Sequence, residues 1–162
     1  MSQSDFFLKI DGIDGESTDD KHKGELEISG WSWGATNLGT GSSGTTGSGA
    51  GKADLSDIVI TKLVDKSTPK LLLACASGKH IKTAVLVCRK AGGDKQEYLT
   101  VSLEKVFISS YQSSASGGGP IPEESISLNY VKIKYEYKPQ NADGSLAGVV
   151  AMTHDSAANT SA

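Results

Sequence analysis

Gly30, Trp31, Ser32, Trp33 and Gly34 spell GxSxG, the spacing at which hydrolases hold a nucleophilic serine on a sharp strand-to-helix turn. The segment after Gly34 runs into glycine-rich chain instead of a helix. The three histidines, His22, His80 and His154, form no pattern that supplies a base. A strand whose tryptophans fill a core or an interface accounts for the string better, and a serine hydrolase using Ser32 stands as the alternative. Ser67 and Lys70 satisfy the SxxK spacing of serine β-lactamases, but neither SDN nor KTG follows, and helix capping accounts for Ser67 and Thr68. Gly39, Gly41 and Gly44 form GxGxxG, which requires a following helix whose N-terminus can hold a pyrophosphate, and no helix follows. Gly51 and Lys52 resemble the end of a phosphate loop, yet Thr46 stands in place of its first glycine and Ala53 in place of the residue that would hold magnesium. Asp14, Glu16, Asp19 and Asp20 lack the ligand order of an EF-hand and read as a solvated acidic loop. Cys75 and Cys88, flanked by apolar residues, read as small core side chains, without the number for a disulfide scaffold or the spacing for zinc. These residues predict no catalytic group, no metal and no cofactor, hence a structural or adaptor protein and not an enzyme.

The elements that must position these residues are mainly strands. Phe6, Leu8 and Ile10 alternate with Phe7 and Lys9 as a first strand, followed by a polar loop over Gly12 to Gly24. Leu26 and Ile28 share one parity of a period-two pattern, whereas Trp31 and Trp33 share the other, with Gly30 at the switch. A strand changes face in this way only through a bulge or bend. The same slip is read between Ile126, Leu128, Tyr130 and Val131, Ile133, Tyr135, Tyr137, and two strands that swap faces predict a curved, barrel-like sheet. Further strands are expected over Leu55 to Leu63, Ala84 to Lys90 and Tyr98 to Ile108, the last two forming an antiparallel hairpin about Ala91 to Asp94. One helix is predicted with Thr68 as N-cap, Pro69 at its first position and Gly78 just past its end. The expected total is six or seven strands and one helix. Gly39 to Gly51 contains only Gly, Ser, Thr and one Ala, cannot bury apolar surface by itself, and reads as a long protruding loop that gains order against a neighbouring subunit.

The chain has 162 residues, enough for one domain with a sizeable core, and its 19 glycines and 22 serines favour strands and turns over a helix bundle. A net charge of −3 leaves no positive excess for nucleic acid or an anionic bilayer. No window approaches the apolar length of a membrane span, and the N-terminal residues lack the pattern of a cleaved secretory signal. The expectation is a chain made and folded in the cytoplasm, with no membrane insertion, whose export carries the folded protein.

FFLKIDGIDGES from Phe6, ISGWSWGATN from Ile28, the glycine-rich loop ending at Lys52, DKSTPKLLLACASGKH from Asp65 and RKAGGDKQEYL from Arg89 together resemble the Hcp family. These are the haemolysin-coregulated tube proteins of bacterial type VI secretion systems, and the resemblance runs collinearly from about Phe6 to Asp143. It implies a mainly β fold: a compact β-barrel of two sheets with one short flanking α-helix and a long protruding loop. The domain spans residues 1–153, with a flexible polar tail at 154–162. It also implies a homohexamer whose rings stack into a hollow tube, with a valine-glycine repeat spike protein, a contractile sheath and small effector proteins as partners. The protein is then secreted without a cleaved signal peptide. On the same resemblance, the loop at 38–52, with Leu38, Gly39, Gly41, Gly44, Gly47, Gly49, Gly51 and Lys52, reaches onto the adjacent subunit. Gly92, Gly93 and Asp94 lie near the ring-stacking face, and Ser32 points into the pore toward effector cargo. The departure is at the C-terminus, where family members commonly continue into an aromatic-containing strand and only Gly148 to Thr153 is a candidate here. A monomeric β-barrel binding module is the remaining alternative.

Overall fold

The computed structural model describes residues 4–37, 53–91 and 95–162. In chain order its elements are β1 (Ser4–Ile10), β2 (Leu26–Ile28), β3 (Gly30–Ser32), β4 (Ala35–Asn37), β5 (Ala53–Leu55), β6 (Ile58–Leu63) and α1 (Thr68–Ser77). There follow β7 (Ile81–Lys90), β8 (Glu97–Ser114), β9 (Glu123–Asn129), β10 (Lys132–Tyr137), β11 (Val150–Asp155) and β12 (Thr160–Ser161). One sheet has the order β12-β11-β10-β8-β7-β1-β2, and β3, β6 and β9 form a second that returns to β8. All the pairings are antiparallel.

Two segments carry the chain from one sheet to the other and wrap them around a common core. At the first, β2 pairs with β1 and β3 pairs with β6, so the chain changes sheets at Ser29, whose N–H bonds the Thr61 carbonyl at 2.8 Å. This is the face change that the parity of Leu26, Ile28, Trp31 and Trp33 predicts. The second is the 18-residue β8, which pairs with β7 and β10 along its first half and with β9 along its second. Leu99, Val101 and Leu103 are buried in one phase, Val106 and Ile108 in the other. The slip falls at exposed Glu104 and Lys105, where Lys105 takes a left-handed φ of 53°, and the register of β8 against β9 shifts further along, between Ile108 and Ser110.

Several expectations are corrected in detail. The slip expected within one strand near Tyr130 is a break between β9 and β10, which belong to different sheets. Leu55 to Leu63 is divided at Ser56 and Asp57 into β5 and β6. The twelve strands among the described residues exceed the six or seven expected because bends divide long segments and because the short β4–β5 pair and the two-residue β12 are added. The helix N-cap is Ser67, not Thr68, and the Thr68 hydroxyl turns inward to Glu124. Gly78 closes α1 with a left-handed φ of 65°, as the sequence predicts. The candidate at Gly148 to Thr153 forms β11, whose backbone pairs with β10, and residues 154–162, expected as a frayed tail, continue into β12 paired to β11.

The core between the sheets holds Leu8, Leu26, Ile58, Ile60, Leu86, Leu103, Ile108, Ile126, Leu128 and Ile133, joined by Leu71 and Ala74 from α1. Each of the larger side chains contributes about 1.5–3 kcal/mol by leaving water. The loop from Asp11 to Glu25 closes over the other face of the first sheet. Its close approach requires glycine at Gly15, where a Cβ would lie 2.5 Å from the Glu25 carbonyl oxygen. Among the described residues no helix is long and apolar enough to cross a membrane.

Candidate functional site: an exposed arm and a polar sheet face

Alternation along β3 sends Trp31 and Trp33 toward the core and leaves Ser32 exposed on the opposite face. Residues directly opposite in an antiparallel pair share a face, so Ser32 lies beside Val59, and Val59 beside Ser127. Continuing across the sheet, Thr61 faces Ser125, Ser127 faces Ser110, and Ser125 faces Gln112. The Ser110 and Ser127 hydroxyls bond each other at 2.7 Å. The result is a sheet face of small, uncharged, mostly hydroxyl-bearing side chains, suited to many weak contacts and to no tight one.

Ser32 meets none of the histidines. His22 bonds Glu25 and Glu97, His154 bonds Ser161, and His80 lies edge-on to Phe107. Ser67, the other serine considered for chemistry, donates to Asp65 at 2.5 Å beside the start of α1, and Lys70 is exposed. Burial pushes the Cys88 thiol up to about 11, so Cys88 stays protonated as a core side chain.

Immediately after this face the chain leaves the body. Ala35, Thr36 and Asn37 of β4 are exposed and pair with Leu55, Asp54 and Ala53 of β5, and among the described residues neither strand pairs with any other. This two-stranded arm is the root of the predicted loop. Leu38, Gly39, Gly41, Gly44, Gly47, Gly49, Gly51 and Lys52 themselves lie outside the described residues, as do Gly92, Gly93 and Asp94.

Two polar clusters that sequence reading misses fix the surfaces around this site. Lys62 and Glu124 are fully buried and form an ion pair across β6 and β9. Lys62 also bonds Asp65 and the Leu63 carbonyl, both at 2.9 Å. Glu124 accepts from Thr68 at 2.9 Å and from Tyr111 at 2.5 Å. Burial works against the charge of Asp65, but hydrogen bonds from Ser67 and Lys62 outweigh it and hold its carboxyl below the ordinary value. The signal was present in the sequence: Lys62 falls in phase with Ile58 and Ile60, and Glu124 in phase with Ile126 and Leu128.

The second cluster ties the Asp11–Glu25 loop to the sheet. Buried Arg89 grips Asp19 with two hydrogen bonds of 2.9 and 2.5 Å, and its guanidinium carbon lies 4.6 Å from the centroid of Phe7. Phe7 in turn stacks on His22 at 4.4 Å. Asp19 is thus bound into the structure and not solvated like its exposed neighbours Asp14, Glu16 and Asp20. The Arg89 guanidinium, hydrogen-bonded to Asp19, holds its carboxyl well below the usual carboxylate range. Because the folded value is depressed, the clasp stabilises the protein above the unfolded carboxylate range and loses that contribution as pH falls through the folded value. In acid titrations followed by chemical denaturation, the stability difference between wild type and Asp19→Asn should stay constant near neutrality and shrink below about pH 4. A difference unaffected by acid would contradict the clasp.

The fold and site define a two-sheet β module with a projecting arm and a polar, hydroxyl-lined sheet face. A model of the family described as "Type VI secretion system effector, Hcp" matches residues 7–137. The chain is 44% identical over 145 residues to Protein hcp1 of Pseudomonas aeruginosa, covering 89% of each. A solved structure of a type six secretion system protein aligns with a TM-score of 0.91 at 37% identity, covering 99% of this chain and all of that one. Hcp1 from Salmonella typhimurium aligns with a TM-score of 0.78 at 36% identity over the whole of both chains. The chain belongs to the Hcp family of type VI secretion tube proteins.

Proposed function

We propose that this chain is the repeating subunit of a type VI secretion inner tube, closing as a homohexamer into rings that stack. The observation that carries this reading is the β4–β5 arm, whose β4 residues are all exposed and whose strands, among the described residues, pair only with each other. An arm of this kind, continuing into the Gly/Ser/Thr segment of residues 38–52, suits docking on the next copy. Such a contact is heterologous, since the arm of one copy meets a different surface of its neighbour, and heterologous contacts close into rings when the rotation permits. Ser32 and the hydroxyl-rich face around it then form the lumen wall, holding small effector proteins by weak polar contacts. The turn at Gly92, Gly93 and Asp94 belongs to the stacking face. The valine-glycine repeat spike protein caps the tube, the contractile sheath surrounds it, and the assembly passes from the cytoplasm to the outside without a cleaved signal.

The lumen assignment is tested by Ser32→Arg. The exposed position predicts an unfolding free energy within about 0.5 kcal/mol of wild type and an unchanged oligomer mass. When the variant is co-expressed with a small effector exported by the same system, the amount of effector recovered with the rings should fall several-fold. Undiminished recovery would overturn the assignment of Ser32 to the pore.

A further inference from the structure

Among the described residues the arm has no ladder to the body, so its direction is set at its root, where Leu55 also packs against the core. A hairpin of three residue pairs is not independently stable. At the root its two ends are bonded to each other: the Gly34 N–H donates to the Ser56 hydroxyl and the Ser56 N–H to the Gly34 carbonyl, each at 2.9 Å. Both ends are also held by one side chain. The Trp33 indole N–H donates to the Tyr130 hydroxyl at 2.6 Å, and that hydroxyl donates to the Ser56 carbonyl at 2.7 Å. Tyr130 sits at the break between β9 and β10, where the two sheets part company, so it belongs to the body and not to the arm.

We propose that Tyr130 is the latch of the arm: its hydroxyl, held between Trp33 and Ser56, sets the direction in which β4 and β5 leave the body and thereby pre-orients the arm for ring closure. Asp57 supplies the fixed base against which the latch works, accepting from Asn129 at 2.9 Å and from Ser109 at 2.6 Å. Burial pushes the Tyr130 hydroxyl above its ordinary value, so it remains a protonated donor at physiological pH. Tyr130 is a positioning residue that acts through the arm, and its part in ring closure rests on the tube reading above. Removing the hydroxyl leaves the ring of the side chain in place but deletes the bonds that tie Trp33 and Ser56, at the two ends of the arm, to Tyr130. Pre-orientation lowers the ordering cost of docking, so its loss weakens association without removing any contact surface.

The test is Tyr130→Phe, with two readouts. Hydrogen exchange at the amides of Ala35–Asn37 and Ala53–Leu55 should accelerate about tenfold, while β6 and β9 exchange as in wild type. The concentration at which rings dissociate should rise by about tenfold or more, with monomer secondary structure unchanged. Unchanged arm exchange overturns the latch, and accelerated exchange with an unaltered dissociation concentration overturns its role in assembly. If wild type itself forms no rings, the tube reading and the assembly role fail together. Arm exchange in the monomer then decides the latch alone.

Discussion

Lys62→Ala should lower the unfolding free energy by about 3–5 kcal/mol, because it leaves Glu124 as an uncompensated charge at a fully buried position. That is a large part of the roughly 5–15 kcal/mol by which domains are stable. Glu124 would retain its bonds from Thr68 and Tyr111, neither of which carries a positive charge to balance it. The effect should spread to α1, since Lys62 also holds Asp65, and Asp65 accepts from Ser67 at the helix start. The check is urea denaturation of Lys62→Ala, Glu124→Gln and the double variant. The double variant should lose less than the sum of the singles, the mark of a coupled pair. A single-variant loss under about 1 kcal/mol, or strict additivity, would mean the ion pair does not hold the two strands and the helix together.

Replacing residues 38–52 with a two-residue turn should convert the assembly to monomers while leaving the body folded. Asn37 and Ala53 are direct partners at the end of the arm, so a short turn can join them. Of the arm residues only Leu55 packs against the core, and it is retained, so the unfolding midpoint of the shortened chain should match that of intact monomer. Association, in contrast, loses the segment that reaches the next copy. An oligomer mass that is unchanged, apart from the residues removed, would show that the arm is not the closing contact. Loss of folded structure would instead show that the removed segment completes the body.

The parts of the fold legible in the sequence are those whose signals are local. Pro69 and Gly78 mark the ends of α1, the alternation about Ala91 to Asp94 marks the β7–β8 hairpin, and the parity change at Gly30 marks the passage between sheets. Less was legible where partners lie far apart. Lys62 falls on the core face with Ile58 and Ile60, but its partner Glu124 lies 62 positions away and is found only once β6 and β9 are paired. The phase slip of β8 at Glu104 and Lys105 is visible only once the residues on both sides are known to be buried. β11 has a weak pattern, with Val150 and Ala151 exposed, because backbone pairing with β10 holds it more than side-chain burial does. At the candidate site, the exposure of Ser32 follows from the alternation of the two tryptophans. The face it shares with Thr61, Ser125 and Ser127 needed the strand register, and Tyr130 as the root of the arm needed the fold.

The most direct test of the account is the mass of the intact chain in solution. Light scattering on purified protein at micromolar concentration should give about six times the 16.9 kDa of one chain. A single species at 16.9 kDa under the same conditions would contradict the closed ring on which the pore, the stacking face and the role of the arm all depend.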